Sequence, residues 1–256
     1  MPITPRQSDI LERARTEGRV MVEDLASRFG VTVQTIRRDL TEMCEGRLLE
    51  RIHGGAVLPS GITNIGYEDR RRLNADAKEA MARAAAAEIP HGASLFLNIG
   101  TTTEAVARAL QGHSGLMVVT NNMNAAQILA ANPSCEVVLT GGALRRADGG
   151  LVGDLAVQTI LQFKVDIAVI GASALDGAGD LLDFDIQEVR VAHAILQQAR
   201  QSILVADQGK LARAAPVRIT SLGALDMWVT DAAPAADLAA LCHEAGTAIK
   251  VAPRGQ

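Results

Sequence analysis

Residues 29–43 read FGVTVQTIRRDLTEM, and this stretch decides how the first part of the chain folds. Gly30 stops one helix, Val31-Thr32 makes a tight turn, and the Thr32 hydroxyl caps the next helix, which runs over residues 33–45 until Gly46. At about 100° per residue, Ile36, Leu40 and Met43 converge on one face and form the buried stripe. Gln34, Arg38, Thr41 and Glu45 point the opposite way, flanked by Thr35 and Arg37. Gln pairs bidentately with adenine, Arg with guanine, and Thr meets a thymine methyl. An ordinary solvated helix face has the same composition, so this helix alone leaves both readings open.

The flanking segments favour the DNA-reading face. Thr4-Pro5 starts a helix carrying Ile10, Leu11 and Ala14, Gly18 ends it, residues 20–22 are extended, and residues 23–29 form a second helix. Two helices joined by a short Gly-containing turn are the signature of a helix-turn-helix, whose second helix enters the major groove with its N-terminal end at the bases. Downstream, residues 48–52 and 56–57 read as two strands joined at His53-Gly54-Gly55, because paired glycines supply the positive φ of a tight hairpin. A hairpin in this position is a wing that brings Arg51, His53, Gly54 and Gly55 to the adjacent DNA backbone or minor groove. The combination FGVTVQTIRRDLTEM and LLERIHGGAV resembles the winged helix-turn-helix of the DeoR family of bacterial transcription regulators. That resemblance implies Thr35, Arg37 and Arg38 at DNA, with Asp39 supporting the module.

The charge of the chain agrees with a small DNA-reading module carried on an acidic partner. The 256 residues hold 25 Lys+Arg and 29 Asp+Glu, net −4. Residues 1–75 alone carry net +1 and the remainder −5. With 48% apolar residues a packed core is expected, and disorder, a collagen-like chain and a mini-protein are excluded. No run of about 18 apolar residues occurs, so no membrane span is expected. MPITPRQSDILER shows neither an apolar run nor a small-residue cleavage pattern, which predicts no signal peptide. Cys44, Cys135 and Cys242 stand far apart, predicting reduced, inert thiols and a cytoplasmic protein.

Two domains and a linker follow: residues 1–57 as the winged module, 58–75 as a linker with Pro59, Gly61, Gly66 and a solvated run of three arginines, and 76–256 as the main domain. There a long Ala-rich helix spans 76–89. Short apolar runs then recur at 94–97, 116–120, 136–140, 165–170, 203–206, 227–230 and 248–251, separated by helical stretches at 103–110, 123–131, 155–163, 186–200 and 236–244. Strands alternating with helices predict an α/β domain, a mainly parallel sheet flanked by helices. Ligands in such sheets bind beyond the strand C-termini.

Four strand ends carry candidate ligand groups. Asn98-Ile99-Gly100-Thr101-Thr102-Thr103 links a strand to a helix, where glycine, hydroxyls and backbone N–H groups attract an anion. Thr120 is followed by Asn121 and Asn122, suited to hydroxyl groups. Gly141-Gly142 precedes Arg145-Arg146-Ala147-Asp148-Gly149-Gly150, and Asp207 stands three residues from Lys210. Together they describe a phosphorylated polyol or sugar. His91, His113, His193 and His243 are scattered, and no metal site, no G-x-S-x-G elbow and no Walker A or G-x-G-x-x-G loop is present. No cofactor, no metal and no catalytic residue is expected.

NIGTTTEAVARAL, VTNNMNAAQIL, LTGGALRRADGGLVG, LLDFDIQEVR and VADQGK resemble the DeoR-type sensor domain, a relative in fold of ribose-phosphate isomerases and CoA transferases. The resemblance implies Glu188 and Arg190 as further effector contacts. Its wording is most similar to regulators of glycerol 3-phosphate use, which implies glycerol 3-phosphate as the ligand that releases a homo-oligomeric repressor, dimer or tetramer, from double-stranded operator DNA. Many relatives have Asp where this chain has Asn98, and a neutral amide cannot accept from two donors as a carboxylate does. An enzyme carrying a DNA-reading arm is the alternative class. The isomerases that this fold resembles have D-G-A-D-E at the end of a central strand, and residues 170–174 here read Ile-Gly-Ala-Ser-Ala, without the carboxylate base that ene-diol chemistry needs. A DNA-binding module with no effector is the remaining alternative.

Overall fold

A computed structural model describes residues 4–17, 19–46, 48–57 and 66–253. The chain divides into two compact units, residues 1–63 and 64–256.

The first unit holds α1 (Pro5–Glu17), β1 (Arg19–Met21), α2 (Val22–Phe29), α3 (Val33–Glu45), β2 (Glu50–Ile52) and β3 (Gly55–Val57). Ile10, Leu25, Ile36 and Leu40 are fully buried, so the stripe of α3 closes against α1 and α2. Gly30 takes the left-handed conformation (φ 61°) that ends α2, and Thr32 Oγ1 accepts from the Thr35 amide at 3.2 Å to start α3. The hairpin is as expected, but its sheet has a third strand. β3 lies in the middle, antiparallel to both β1 and β2, with Met21 opposite Gly55.

The second unit opens with α4 (Tyr67–Arg72) and α5 (Ala75–Ala86). There follow β4 (Ser94–Leu97), α6 (Thr101–Ala109), β5 (Leu116–Thr120), α7 (Met123–Leu129) and β6 (Cys135–Leu139). A hairpin, β7 (Ala143–Arg145) and β8 (Gly150–Val152), leads to α8 (Asp154–Ile160) and β9 (Val165–Ile170). After β10 (Ala174–Leu175), β11 (Asp180–Asp183) and α9 (Ile186–Gln197) come β12 (Ala199–Val205) and β13 (Val217–Ser221). β14 (Met227–Thr230), α10 (Ala236–Ala245) and β15 (Ala248–Val251) complete it.

Seven strands form one parallel sheet in the order β15-β14-β12-β9-β4-β5-β6. They correspond to the seven apolar runs of the sequence. Leu95, Phe96, Leu97, Val118, Val119 and residues 167–170 are buried because helices cover both faces. One face carries the Ala-rich layer of α5, α6 and α7, and the other packs Trp228, Ile160, Val191 and Ile195. The chain leaves β4 toward β5 and β6, then returns to place β9 on the other side of β4. That reversal makes the C-terminal ends of β4 and β9 the switch point where an open α/β sheet binds its ligand.

Three expectations need correction. The helix read over 186–200 ends at Gln197, because Ala199 and Arg200 already belong to β12, where Ala199 pairs with Val165. A small antiparallel sheet, β10-β11-β13, and the β7–β8 hairpin are additional elements, too short for their alternation to register in the sequence. The stretch 66–75 is no simple connector. It forms α4, which packs on α6, and Arg70 is a partly buried ion-pair partner where a solvated arginine was expected. Residues 58–65 of the expected linker lie outside the described residues.

Candidate functional site

In the first unit, the outer face of α3 presents Gln34, Arg37, Arg38 and Thr41 exposed and Thr35 half-buried. The face is held in place from behind. Asp39, 5% exposed, takes a two-pronged ion pair from Arg6 of α1 (2.6 and 3.2 Å), and Gln7 donates to Glu42 at 2.9 Å. Arg38 leans on Glu42 at 3.1 Å yet remains 83% exposed, so its guanidinium is free to turn outward. Thr41 Oγ1 donates to the Arg37 carbonyl at 2.7 Å. Arg51, His53 and Gly54 are exposed on the wing, Gly54 with φ 76°. Gly55 is a correction. It is buried, and a Cβ there would stand 2.1 Å from the Val20 carbonyl oxygen, so glycine serves the close approach of β3 to β1. Val33, an apolar side chain 38% exposed at the first position of α3, was not singled out from the sequence.

In the second unit the strand ends converge as the parallel sheet dictates. Gly100, with φ 144°, turns β4 into α6, and Thr101, Thr102 and Thr103 are buried at the helix start. Thr103 Oγ1 donates back to the Gly100 carbonyl at 2.7 Å, so one of the three threonines is a local cap. Asn98 is buried and its Oδ1 accepts from the Ile99 amide at 2.8 Å. Asn121 donates to the Leu151 carbonyl, and Asn122 Oδ1 caps α7 through the Asn124 and Ala125 amides. Asn121 Oδ1, Asn122 Nδ2 and Thr140 Oγ1 are buried without a partner among the described residues. A buried polar atom left unpaired costs about 1–3 kcal/mol, so such atoms mark where a ligand or water belongs.

Around Asp207, at the end of β12, stand three cations: Lys78 of α5, and Lys210 and Arg213 from the segment after Asp207. Burial pushes the Lys78 ammonium down to about 8, with Arg213 and Arg70 adding to the effect against Asp207. Burial, then Arg213, pushes Lys210 down to about 7. Arg213 is likewise lowered by burial. These cations share the Asp207 carboxylate, with Arg70 acting on all three and Glu104 on Lys78, so positive charge is in excess there. Lys78 escaped the sequence reading. Its only signal is a lone lysine in an otherwise Ala-rich helix.

A second group surrounds Arg145 at the end of β7. Its guanidinium binds both Asp148 oxygens (2.9 and 2.7 Å), Asp185 (2.8 Å) and Glu188 (2.5 Å). Burial works against the Arg145 charge, but the hydrogen bonds to Asp148 and Glu188 raise its pKa overall. Burial and neighbouring Asp183 push the Glu188 carboxyl up to about 7 despite Arg145. Asp148 and Glu188 are therefore engaged by arginine and hold the loop together. Gly149 (φ 74°) turns that loop beside Asn124. An open cleft of about 490 Å³ lies here, lined by Tyr67, Asn124, Arg145, Asp148 and Gly149 among others.

Two further placements depart from expectation. Arg190 is exposed, because one residue beyond buried Val189 the helix face of α9 has turned to solvent. Gly141 and Gly142 serve packing. A Cβ on Gly141 would meet Leu155 at 2.8 Å, and one on Gly142 the Val152 carbonyl oxygen at 2.6 Å. At the end of β9, residues 170–174 carry no ionisable side chain, as read from the sequence.

Comparison with known proteins covers nearly all of this chain. Residues 6–61 match the DeoR-like helix-turn-helix domain and residues 73–232 the DeoR C terminal sensor domain. The chain is 44% identical over 234 residues to the glycerol-3-phosphate regulon repressor of Escherichia coli (strain K12), covering 91% of this chain and 93% of that protein. It is 44% identical over 229 residues to the glycerol-3-phosphate regulon repressor of Haemophilus influenzae, covering 90% and 89%. The HTH-type transcriptional regulator GlpR of Haloferax volcanii is 34% identical, covering 95% and 96%. Among solved structures, ribose 5-phosphate isomerase A from Methanocaldococcus jannaschii is similar at 18% identity and a TM-score of 0.40, covering 54% of this chain and 55% of that one. Among the described residues no helix is long and apolar enough to cross a membrane.

Proposed function

The chain belongs to the DeoR family of transcription regulators, and from that premise we propose a repressor whose outer α3 face reads operator DNA and whose strand-end site binds a phosphorylated polyol that releases it. It is a regulator and not an enzyme. The observation that carries the effector reading is the group of Lys78, Lys210 and Arg213 gathered on Asp207. A phosphomonoester brings about two negative charges to a site of this kind. Its oxygens are met by those cations and by the start of α6 at Gly100, Thr101 and Thr102. The unpaired Asn121 Oδ1, Asn122 Nδ2 and Thr140 Oγ1 supply hydroxyl partners. Glycerol 3-phosphate is the ligand we assign, supported by the identity to repressors of that regulon.

On the DNA side, Gln34, Thr35, Arg37, Arg38 and Thr41 face the major groove, with Val33 available to a thymine methyl. Arg51, His53 and Gly54 meet the flanking backbone. A homo-oligomer, dimer or tetramer, sets pairs of such helices on repeated half-sites. The test is an operator-binding titration with glycerol 3-phosphate, glycerol, and fructose and galactitol phosphates. Glycerol 3-phosphate releases the DNA and glycerol does not. Lys210→Ala and Gly100→Val retain operator binding and need far more ligand for release. Release by another sugar phosphate but not by glycerol 3-phosphate overturns the ligand assignment and keeps the site.

A further inference from the structure

The short helix α4 sits on the groups that an incoming phosphate needs. The Arg70 carbonyl, in its last turn, accepts from the Lys78 ammonium and, at 3.5 Å, from the Thr101 hydroxyl. Two residues beyond its end, Asn74 Nδ2 donates to Asp207 Oδ1 at 3.1 Å. Three members of the strand-end site are thus occupied by one segment of the protein's own chain. At the other end of α4, Tyr67 Oη donates to the Glu104 carboxylate (3.0 and 3.1 Å) and accepts from Asn124 Nδ2 at 2.9 Å. The Arg70 guanidinium reaches Asp148 at 3.2 Å, while its Nε is buried without a partner among the described residues.

What is missing from this seat is apolar burial. None of the six residues of α4 is buried, and Leu73 after it is 41% exposed. A segment with no fully buried side chain, seated by hydrogen bonds and an ion pair and carrying one buried unpaired polar atom, belongs to the easily opened part of a structure. It also has a joint. Asn74 has φ 53°, the sole non-glycine residue with positive φ among the described residues, and it separates α4 from α5. Asn tolerates that conformation better than most residues, and here its side chain is held by Asp207.

Resting on the anion-site reading above, we infer that α4 is a displaceable latch: the phosphate of a ligand takes Lys78 and Thr101 from the Arg70 carbonyl, a ligand hydroxyl donates to Asp207 in place of Asn74, and the segment that leads back to the winged module is unseated. A phosphate oxygen is the stronger acceptor for an ammonium, because both partners are charged. Nine residues, 58–66, separate Val57 of the wing from Tyr67, so release of α4 changes the tether of the DNA-reading unit. Ligand and latch compete for the same two donors, Lys78 and Thr101, and the same acceptor, Asp207, and therefore weakening the latch must strengthen the ligand.

That sign distinguishes a latch from a wall of the site. Tyr67→Phe removes the contact to Glu104 and Asn124 without touching Lys78, Thr101 or Asp207. Calorimetric titration of the full-length protein with glycerol 3-phosphate and with inorganic phosphate is expected to show about threefold to tenfold tighter binding for Tyr67→Phe than for the wild type. In the wild type, hydrogen exchange at residues 70–74 is expected to quicken on adding glycerol 3-phosphate, while the start of α6 slows. Weaker or unchanged binding by the variant, or slowed exchange at 70–74, overturns the latch and leaves the anion site standing. If neither probe binds wild type or variant, the anion site itself is refuted, and the latch with it.

Discussion

At the level of single residues, Arg38 shows how little of a DNA-reading side chain is committed before it meets DNA. It is 83% exposed and its ion pair with Glu42 is of the kind worth under about 1 kcal/mol. Turning to a guanine therefore costs little. Arg38→Ala is expected to lose about 1–3 kcal/mol of operator affinity while random DNA is bound almost as before. Competition binding against specific and random duplexes measures this, and equal loss on both would place Arg38 on phosphate. Asp39, its neighbour, does the opposite work. Its carboxylate is buried and spent on Arg6, so it fixes α3 on α1.

Among the elements, the three-stranded wing depends on one close approach. β1 comes from the connection between α1 and α2, and it meets β3 where Gly55 has no side chain. Any Cβ there would collide with the Val20 carbonyl oxygen, a backbone atom that cannot rotate away. Gly55→Ala is expected to destabilise the first unit by about 1–3 kcal/mol, which lowers its melting temperature by at least about 4 °C. Thermal unfolding of the full-length protein followed by circular dichroism reads this, and an unshifted transition would show that β1 does not pack on β3. In the second unit the contrast between α5 and α4 is similar in kind. α5 is buried along an Ala-rich face, while α4 is held by hydrogen bonds and ion pairs.

For the whole molecule, the depressed lysines tie DNA release to pH. In the free protein Lys78, facing Asp207, Arg213, Arg70 and Glu104, is held at about 8, and Lys210, facing Arg213, Asp207, Lys78 and Arg70, at about 7. A bound phosphate favours the charged ammonium, so binding takes up protons and weakens as pH rises from 7 to 9. The ligand does not offset this, because a phosphomonoester stays dianionic above about pH 6. The ligand concentration needed to release operator DNA is expected to rise at least about tenfold over that interval. Lys210→Gln should flatten the profile. A wild-type requirement that is flat or falls with pH would remove these ammoniums from the site.

The seven strands of the main sheet, the buried and outward faces of α3, the two-stranded hairpin of the wing and the family are all legible in the sequence. These are written in short-range patterns: apolar runs, 3.6-residue periodicity, caps and glycine turns act among neighbours in the chain. The sequence also marked the strand ends at Gly100, Asn121 and Asp207, since a parallel sheet must bring them to one edge. Which side chains meet at that edge depends on how the chain packs. Lys78 joins Lys210 across 132 positions of sequence, Arg145 gathers three carboxylates from its own hairpin loop and the start of α9, and Arg190 turns away although it follows Glu188 by two residues. Tertiary structure also showed that part of the expected linker is a helix seated on the site. Charge partners and close backbone approaches are long-range facts, and no local pattern encodes them.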